Sequence, residues 1–229
     1  MIPWELLDSI RVPGSGGELN LYKRDGEYSI RVDGCELMNS RRHGSEEALS
    51  GYACARIAHH PNPLILIGGL GMGFTLAATL HRLGPGGKVV LAELAPGVVK
   101  WNWGPLAQLA GHPLRDKRVT LREMDVARVL KEKHGIYHAI LLDVDNGPEG
   151  LTRKTNEWLY APAGLDAAFA ALRPAGVLAI WSAGPDRAFS RRLRNAGFNV
   201  NEFQARAQGP HGGAHHTIWI AARPSLKNP

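Results

Sequence analysis

Cysteine is scarce in this chain. Cys35 and Cys54 are the two among 229 residues, too few for a disulfide framework and without the spacing of a metal site. They read as small thiols kept in a reducing compartment. Long apolar runs are missing as well. The most apolar stretch, 64–80, holds four glycines and is shorter than a membrane span. The opening residues, MIPWELLDSIRV, have neither the basic region nor the apolar core of a signal peptide. There is no internal repeat and no low-complexity segment. Together these absences lead us to expect a soluble, cytoplasmic protein with no membrane partner. Charge of one sign is not concentrated either. Lys+Arg 27 against Asp+Glu 21 gives +6, but the basic residues are scattered. The densest group, Arg187, Arg191, Arg192 and Arg194, fits the solvated face of a helix, so nucleic acid is not the favoured partner.

What is present is enough apolar material, 44%, for a real core. The length suits one domain with a small accessory unit. The chain is organised around PLILIGGLGMG at 63–73. Leu64 to Ile67 read as a strand buried on both faces. Gly68, Gly69, Gly71 and Gly73 let the backbone turn and approach a ligand. FTLAATLHRL then carries helical apolar spacing and offers free N–H groups at its start.

Before this turn the pattern is antiparallel. Residues 1–16 read as a short helix or irregular arm. ELNLYK (18–23) and EYSIRV (27–32) alternate around Arg24-Asp25-Gly26, a hairpin signal, and CELMN follows as a third strand. Ser45 is expected to cap a helix running to about His59, with Glu46 and Glu47 in its first turn. HPNP at 60–63 breaks the chain. The boundary is placed there, giving 1–60 as a small N-terminal β-hairpin unit with its linking helix and 61–229 as the main domain.

After the turn, strands and helices alternate: strands 64–68, 88–93, 118–123, 137–143 and 176–181, and helices 71–83, 96–110, 126–134, 162–173 and 185–196. That pattern predicts an α/β fold with a parallel sheet covered on both sides. FNVNEFQAR and HHTIWIAAR close the chain without a helix between them and should pair antiparallel.

The chemistry-bearing residues fall at strand ends. Glu93 ends the second strand, where an acid can accept both hydroxyls of a ribose, and has no evident structural task. Asp125 follows the third strand; it can accept from an exocyclic adenine amine or simply cap the next helix. Asp143, Val144, Asp145 and Asn146 follow the fourth strand, although Asp145 and Asn146 also suit a turn. A glycine turn and three acidic strand ends on one sheet edge point to a nucleoside-type ligand. Arg41, Arg42, His43 and Glu46 can line an acceptor site or form a solvent loop with a helix cap. His211, His215 and His216 lack an accompanying acid or cysteine at ligand spacing, so no metal is expected. Trp181 is the tryptophan best placed to touch a substrate. Asn156 and Tyr160 can close the site or pack a helix start.

With these residues in hand, the chain resembles the class I S-adenosylmethionine-dependent transferases, and among them the spermidine synthase (polyamine aminopropyltransferase) family. The resemblance spans about 19–223. It is carried by VDG at 32–34, HPNPLILIGGLGMG, VVLAELAPGVV, MDVARVL, AILLDVDNGP and LRPAGVLAIWSA. It implies a Rossmann-like seven-stranded methyltransferase sheet, mostly parallel with an antiparallel last strand. It also implies a homodimer and S-adenosylmethionine, or its decarboxylated form, as cofactor. Gly68, Gly69, Gly71, Gly73 and Glu93 would hold the amino-acid part and ribose, and Asp125 the adenine. Asp143 would lie under the sulfonium, and Asp145 would hold or deprotonate an attacking amine. The acid loop and the first turn depart from the family pattern: Val144 alone separates Asp143 from Asp145, and Leu70-Gly71-Met72 stands where an aspartate is usual. Aminopropyl transfer to an amine therefore stands beside methyl transfer to another small-molecule acceptor. A non-catalytic nucleoside-binding module and, more remotely, a nicotinamide-dependent dehydrogenase are the remaining readings.

Overall fold

A computed structural model describes residues 2–13, 17–132, 134–144, 157–208 and 212–225. Four strands come first. β1 (Glu5–Arg11), β2 (Glu18–Arg24), β3 (Glu27–Val32) and β4 (Cys35–Asn39) form an antiparallel sheet in sequence order. Asp25-Gly26 turns between β2 and β3 with both φ angles positive, 46° and 77°, the hairpin geometry whose twist matches the strands.

β1 corrects the expected helix or arm over 1–16. Its outer residues Glu5, Leu6 and Leu7 are exposed, so no amphipathic pattern announces it. Pairing with β2 makes it a strand. It is also fastened at a distance: Trp101 Nε1 donates to Asp8 Oδ2 at 2.9 Å, and Ile10 fills the space left by Gly97.

α1 (Gly44–Ile57) follows and packs against the main sheet and its next helix. Ser45 does not cap it. His43 occupies the cap position but its side chain does not cap the helix N–H groups, and Ser45 is fully buried.

The main sheet is then built from β5 (Leu64–Gly68), α2 (Phe74–Arg82), β6 (Lys88–Glu93), α3 (Pro96–Trp103), β7 (Val119–Glu123), α4 (Val126–Glu132), β8 (Tyr137–Leu142), α5 (Glu157–Tyr160), α6 (Pro162–Ala171), β9 (Leu172–Ser182), α7 (Arg187–Asn195), β10 (Asn199–Arg206) and β11 (His215–Ala222). Strand order is β10-β11-β9-β8-β5-β6-β7, with β11 antiparallel to both its neighbours and the central pairs parallel. This is the expected seven-stranded, mostly parallel sheet. α3 is shorter than the expected 96–110, because Pro105 disfavours helix at Gly104 and supplies no N–H.

Successive strand residues point to opposite faces, and the core divides accordingly. Ile65, Ile67, Val89, Leu91, Ala139 and Leu141 pack on one side with α1, α2 and α3. Leu66, Ile140, Leu142, Leu178 and Ile180 pack on the other with α4, α6 and α7. All six residues of β8 are buried, which is why its sequence, YHAILL, shows no polar alternation. Among the described residues no helix is long and apolar enough to cross a membrane.

Candidate functional site

β5 pairs with β6 on one side and β8 on the other, so connections leave it in opposite directions. Such a switch point opens a crevice at the carboxyl ends of the strands. The glycine turn leaves β5 there, and Asp143 leaves β8 beside it. Asp143 N donates to Gly68 O at 3.0 Å, and Gly69 N donates to Ala92 O at 2.9 Å. Gly69 has φ +92°, and a Cβ there would run into the Asp143 carbonyl oxygen. Gly68 packs under Val126 and Leu142. The space beside Gly71 is bounded by the Met38 thioether, and that beside Gly73 by Asn102 and Pro113. The positive φ values at Gly71 and Gly73 delay the helix, expected from 71, until Phe74.

Glu93 has a structural task that the sequence did not reveal. Leu70 N donates to its Oε2 and Ala95 N to its Oε1, each at 2.8 Å. The carboxylate therefore ties the glycine turn to the start of α3. Asp125 does cap α4: its Oδ1 accepts from Ala127 N at 2.8 Å.

Between the turn and α1 lies a small recess, open to solvent. Leu70, Gly71, Met72 and Phe74 form one side, Met38 and Asn39 of the small sheet another, and Asp143, Thr75 and Glu46 bring the polar groups. Asp143 keeps some exposed surface but lies deep enough that desolvation raises its carboxyl pKa. Thr75 Oγ1 donates to its Oδ2 at 2.5 Å and opposes that rise. Glu46 is pushed up to about 7, first by burial and then by the negative charge of Asp143. Two carboxylates share one recess, and each makes ionisation of the other harder.

Glu46 is the residue that sequence reading did not single out from its loop. Its spacing held a signal: Leu49, Ser50 and Ala53, at three, four and seven residues further on, are all buried. The other residues of that loop turn elsewhere. Arg41 pairs with Glu27, Arg42 with Glu36, and His43 stacks on Phe74 and bonds Glu47. His216 Nδ1 lies 2.8 Å from Ser45 Oγ, and Trp181 lies edge-on to the His216 ring at 4.6 Å. Tyr160 is buried and its hydroxyl donates to Val144 O. Asp145, Asn146, Asn156 and His211 lie outside the described residues.

The fold and this crevice define a Rossmann-like domain of the methyltransferase type. No protein-family model matches the chain, and no curated protein matches it by sequence. Solved structures do match. The chain is similar to the spermidine synthase from Thermotoga maritima with TM-score 0.77 at 19% identity, covering 96% of this chain and 74% of that one. A spermidine synthase in complex with the transition state analogue AdoDATO gives 0.76 at 18%, covering 96% and 73%. A probable spermidine synthase from Corynebacterium glutamicum gives 0.64 at 14%, covering 95% and 80%. The chain thus has the spermidine synthase fold, including the small antiparallel sheet before the main one.

Proposed function

We propose that this protein is an aminopropyltransferase-like enzyme that binds decarboxylated S-adenosylmethionine and transfers its aminopropyl group to an amine. The observation that carries this reading is the recess with Asp143 and Glu46 among apolar walls. A sulfonium with an alkylammonium arm complements two carboxylates. A methionine carboxylate would add a further negative charge to a recess whose two carboxyls already resist ionisation. At about 4 Å and an effective dielectric near 20, each such repulsion is worth roughly 4 kcal/mol. Glu93 would take the ribose hydroxyls and Asp125 the adenine amine through its second oxygen. Gly69 and Gly71 would give the backbone its close approach, with Gly68 and Gly73 shaping the turn. Asp143 would face the sulfur, and Asp145 is assigned to the acceptor side. In such a displacement the chain aligns an uncharged amine against the carbon beside sulfur, and a nearby carboxylate takes its proton. The fold likeness to spermidine synthases supports the same reading.

A homodimer belongs to the proposal. β1 is an edge strand; Leu6 and Leu7 on it and Ile2 just before it stand exposed at 52%, 37% and 58%. Isothermal titration with S-adenosylmethionine and its decarboxylated form is the direct test. Tighter binding of the decarboxylated form, followed by mass-spectrometric detection of an aminopropylated amine, is the expected result. Preference for the carboxylated form would favour methyl transfer, and binding of neither would sink the enzyme reading.

A further inference from the structure

Ser45 sits on the first turn of α1 with no solvent exposure, yet it bonds in two directions. Its Oγ donates to Glu46 Oε2 at 2.7 Å and lies 2.8 Å from His216 Nδ1 on β11. A hydroxyl has one hydrogen. When that hydrogen goes to Glu46, His216 must donate from Nδ1, which fixes its tautomer. His216 is in turn braced by the edge of Trp181. A partly buried carboxylate is thus held by a serine, and the serine by a histidine, across 171 residues of sequence. Neither the helix cap nor the sheet pairing requires that line. Its outcome is one defined orientation of Glu46 at the wall of the recess.

We propose that Glu46 is the group that takes the proton from the attacking amine, with Ser45 and His216 as the positioning residues that hold its carboxylate. The proposal rests on the transferase reading above. Asp143 adjoins the glycine turn, through its N–H bond to Gly68 O, and so stands on the donor's side. Glu46 comes from α1, the side left for the acceptor. In the step, the amine nitrogen forms a bond to the carbon next to sulfur. The C–S electron pair leaves with sulfur as a neutral thioether. One N–H proton passes to the Glu46 carboxylate, so sulfonium, amine and carboxylate become thioether, secondary amine and carboxylic acid.

The groups facing Glu46 explain its suitability. Asp143, beyond the end of β8, and Glu47 on the same helix both raise its affinity for a proton, and burial raises it most. Ser45 lowers it. Glu47 is itself paired with His43. On β11, His216 lies beyond Ser45 with His215 next to it; burial lowers the His216 pKa, which favours the neutral ring. The result is a base that changes charge near neutrality, where general bases are most effective.

The test is the pH dependence of transfer from decarboxylated S-adenosylmethionine to 1,4-diaminobutane, with 5′-methylthioadenosine titration as a separate measure of the nucleoside site. Wild type should show an acid limb near pH 7. Glu46→Gln should lose about 10²- to 10⁴-fold in kcat and flatten that limb, while methylthioadenosine binds as before. Ser45→Ala should move the limb to higher pH, which a purely structural serine would not do. Glu46→Asp, with the charge retained, should keep a limb at reduced kcat and guards against a misfolded glutamine variant. Wild-type kcat and an intact limb in Glu46→Gln would overturn the assignment alone, as would a limb that vanishes only in Asp145→Asn. A wild-type protein that binds methylthioadenosine but transfers to no amine would overturn the transferase reading and this assignment with it.

Discussion

Gly69→Ala probes the junction on which both the fold and the recess depend. The residue has φ +92°, and a Cβ would meet the Asp143 carbonyl oxygen. That carbonyl is backbone, in a segment registered to β5 by the Asp143 N–Gly68 O bond, so it has no cheap way to move. Positive φ costs an L-residue about 1–2 kcal/mol, and forced overpacking a further 1–3 kcal/mol. For a chain of this size each kcal/mol lowers Tm by roughly 2–4 °C. The expected loss is roughly 4–20 °C. Gly26→Ala is the control: φ is +77°, but nothing lies within 4 Å of the added carbon. It should lose only the conformational part, roughly 2–8 °C. Thermal unfolding followed by circular dichroism compares the two, and methylthioadenosine titration reports the crevice. Gly69→Ala should weaken that binding and Gly26→Ala should not. Equal losses of Tm would show that the turn tolerates a side chain, and the close approach to Asp143 would then have no energetic weight.

Two other substitutions separate structural from ligand roles. Asp125→Ala should cost about 1 kcal/mol through loss of the Ala127 N–H bond, seen in chemical denaturation, whereas Asp125→Asn should restore the cap but still bind an adenine nucleoside less tightly. Trp101→Phe removes the donor to Asp8 and should cost about 1.5–3 kcal/mol near neutral pH. Trp101 holds the Asp8 pKa below its usual value, so this stabilisation is present above the unfolded pKa and disappears as pH falls through the folded one. The gap between the denaturation midpoints of wild type and Trp101→Phe should therefore narrow in acid to the part due to lost core packing; a gap that does not change with pH would refute the link.

Several elements were legible because their causes are local. LILIG followed by glycines is a strand and turn in any context that buries it, and β5 runs over Leu64–Gly68 as expected. Alternating strands and helices, then two strands without a helix, led to a mostly parallel sheet with an antiparallel strand. The end of α3 was misread because the effect of Pro105 on the residue before it was outweighed by apolar spacing. β1 was missed because its outer residues are exposed and only its partner makes it a strand. Ser45 looked like a cap because capping residues are recognised by type, while its hydroxyl is taken by Glu46 and His216.

The crevice was already written in the order of residues: a glycine turn, Glu93, Asp125 and Asp143 at strand ends fall on one sheet edge once the strands are parallel. What stands across from that edge depends on packing between distant segments. Glu46 reaches the recess because α1 packs against the main sheet, and Met38 and Asn39 because the small sheet lies beside the turn; His216 reaches Ser45 behind Glu46 because β11 inserts between β9 and β10. Those residues are far apart along the chain. No local pattern fixes their distances, and the acidity of the recess depends on those distances.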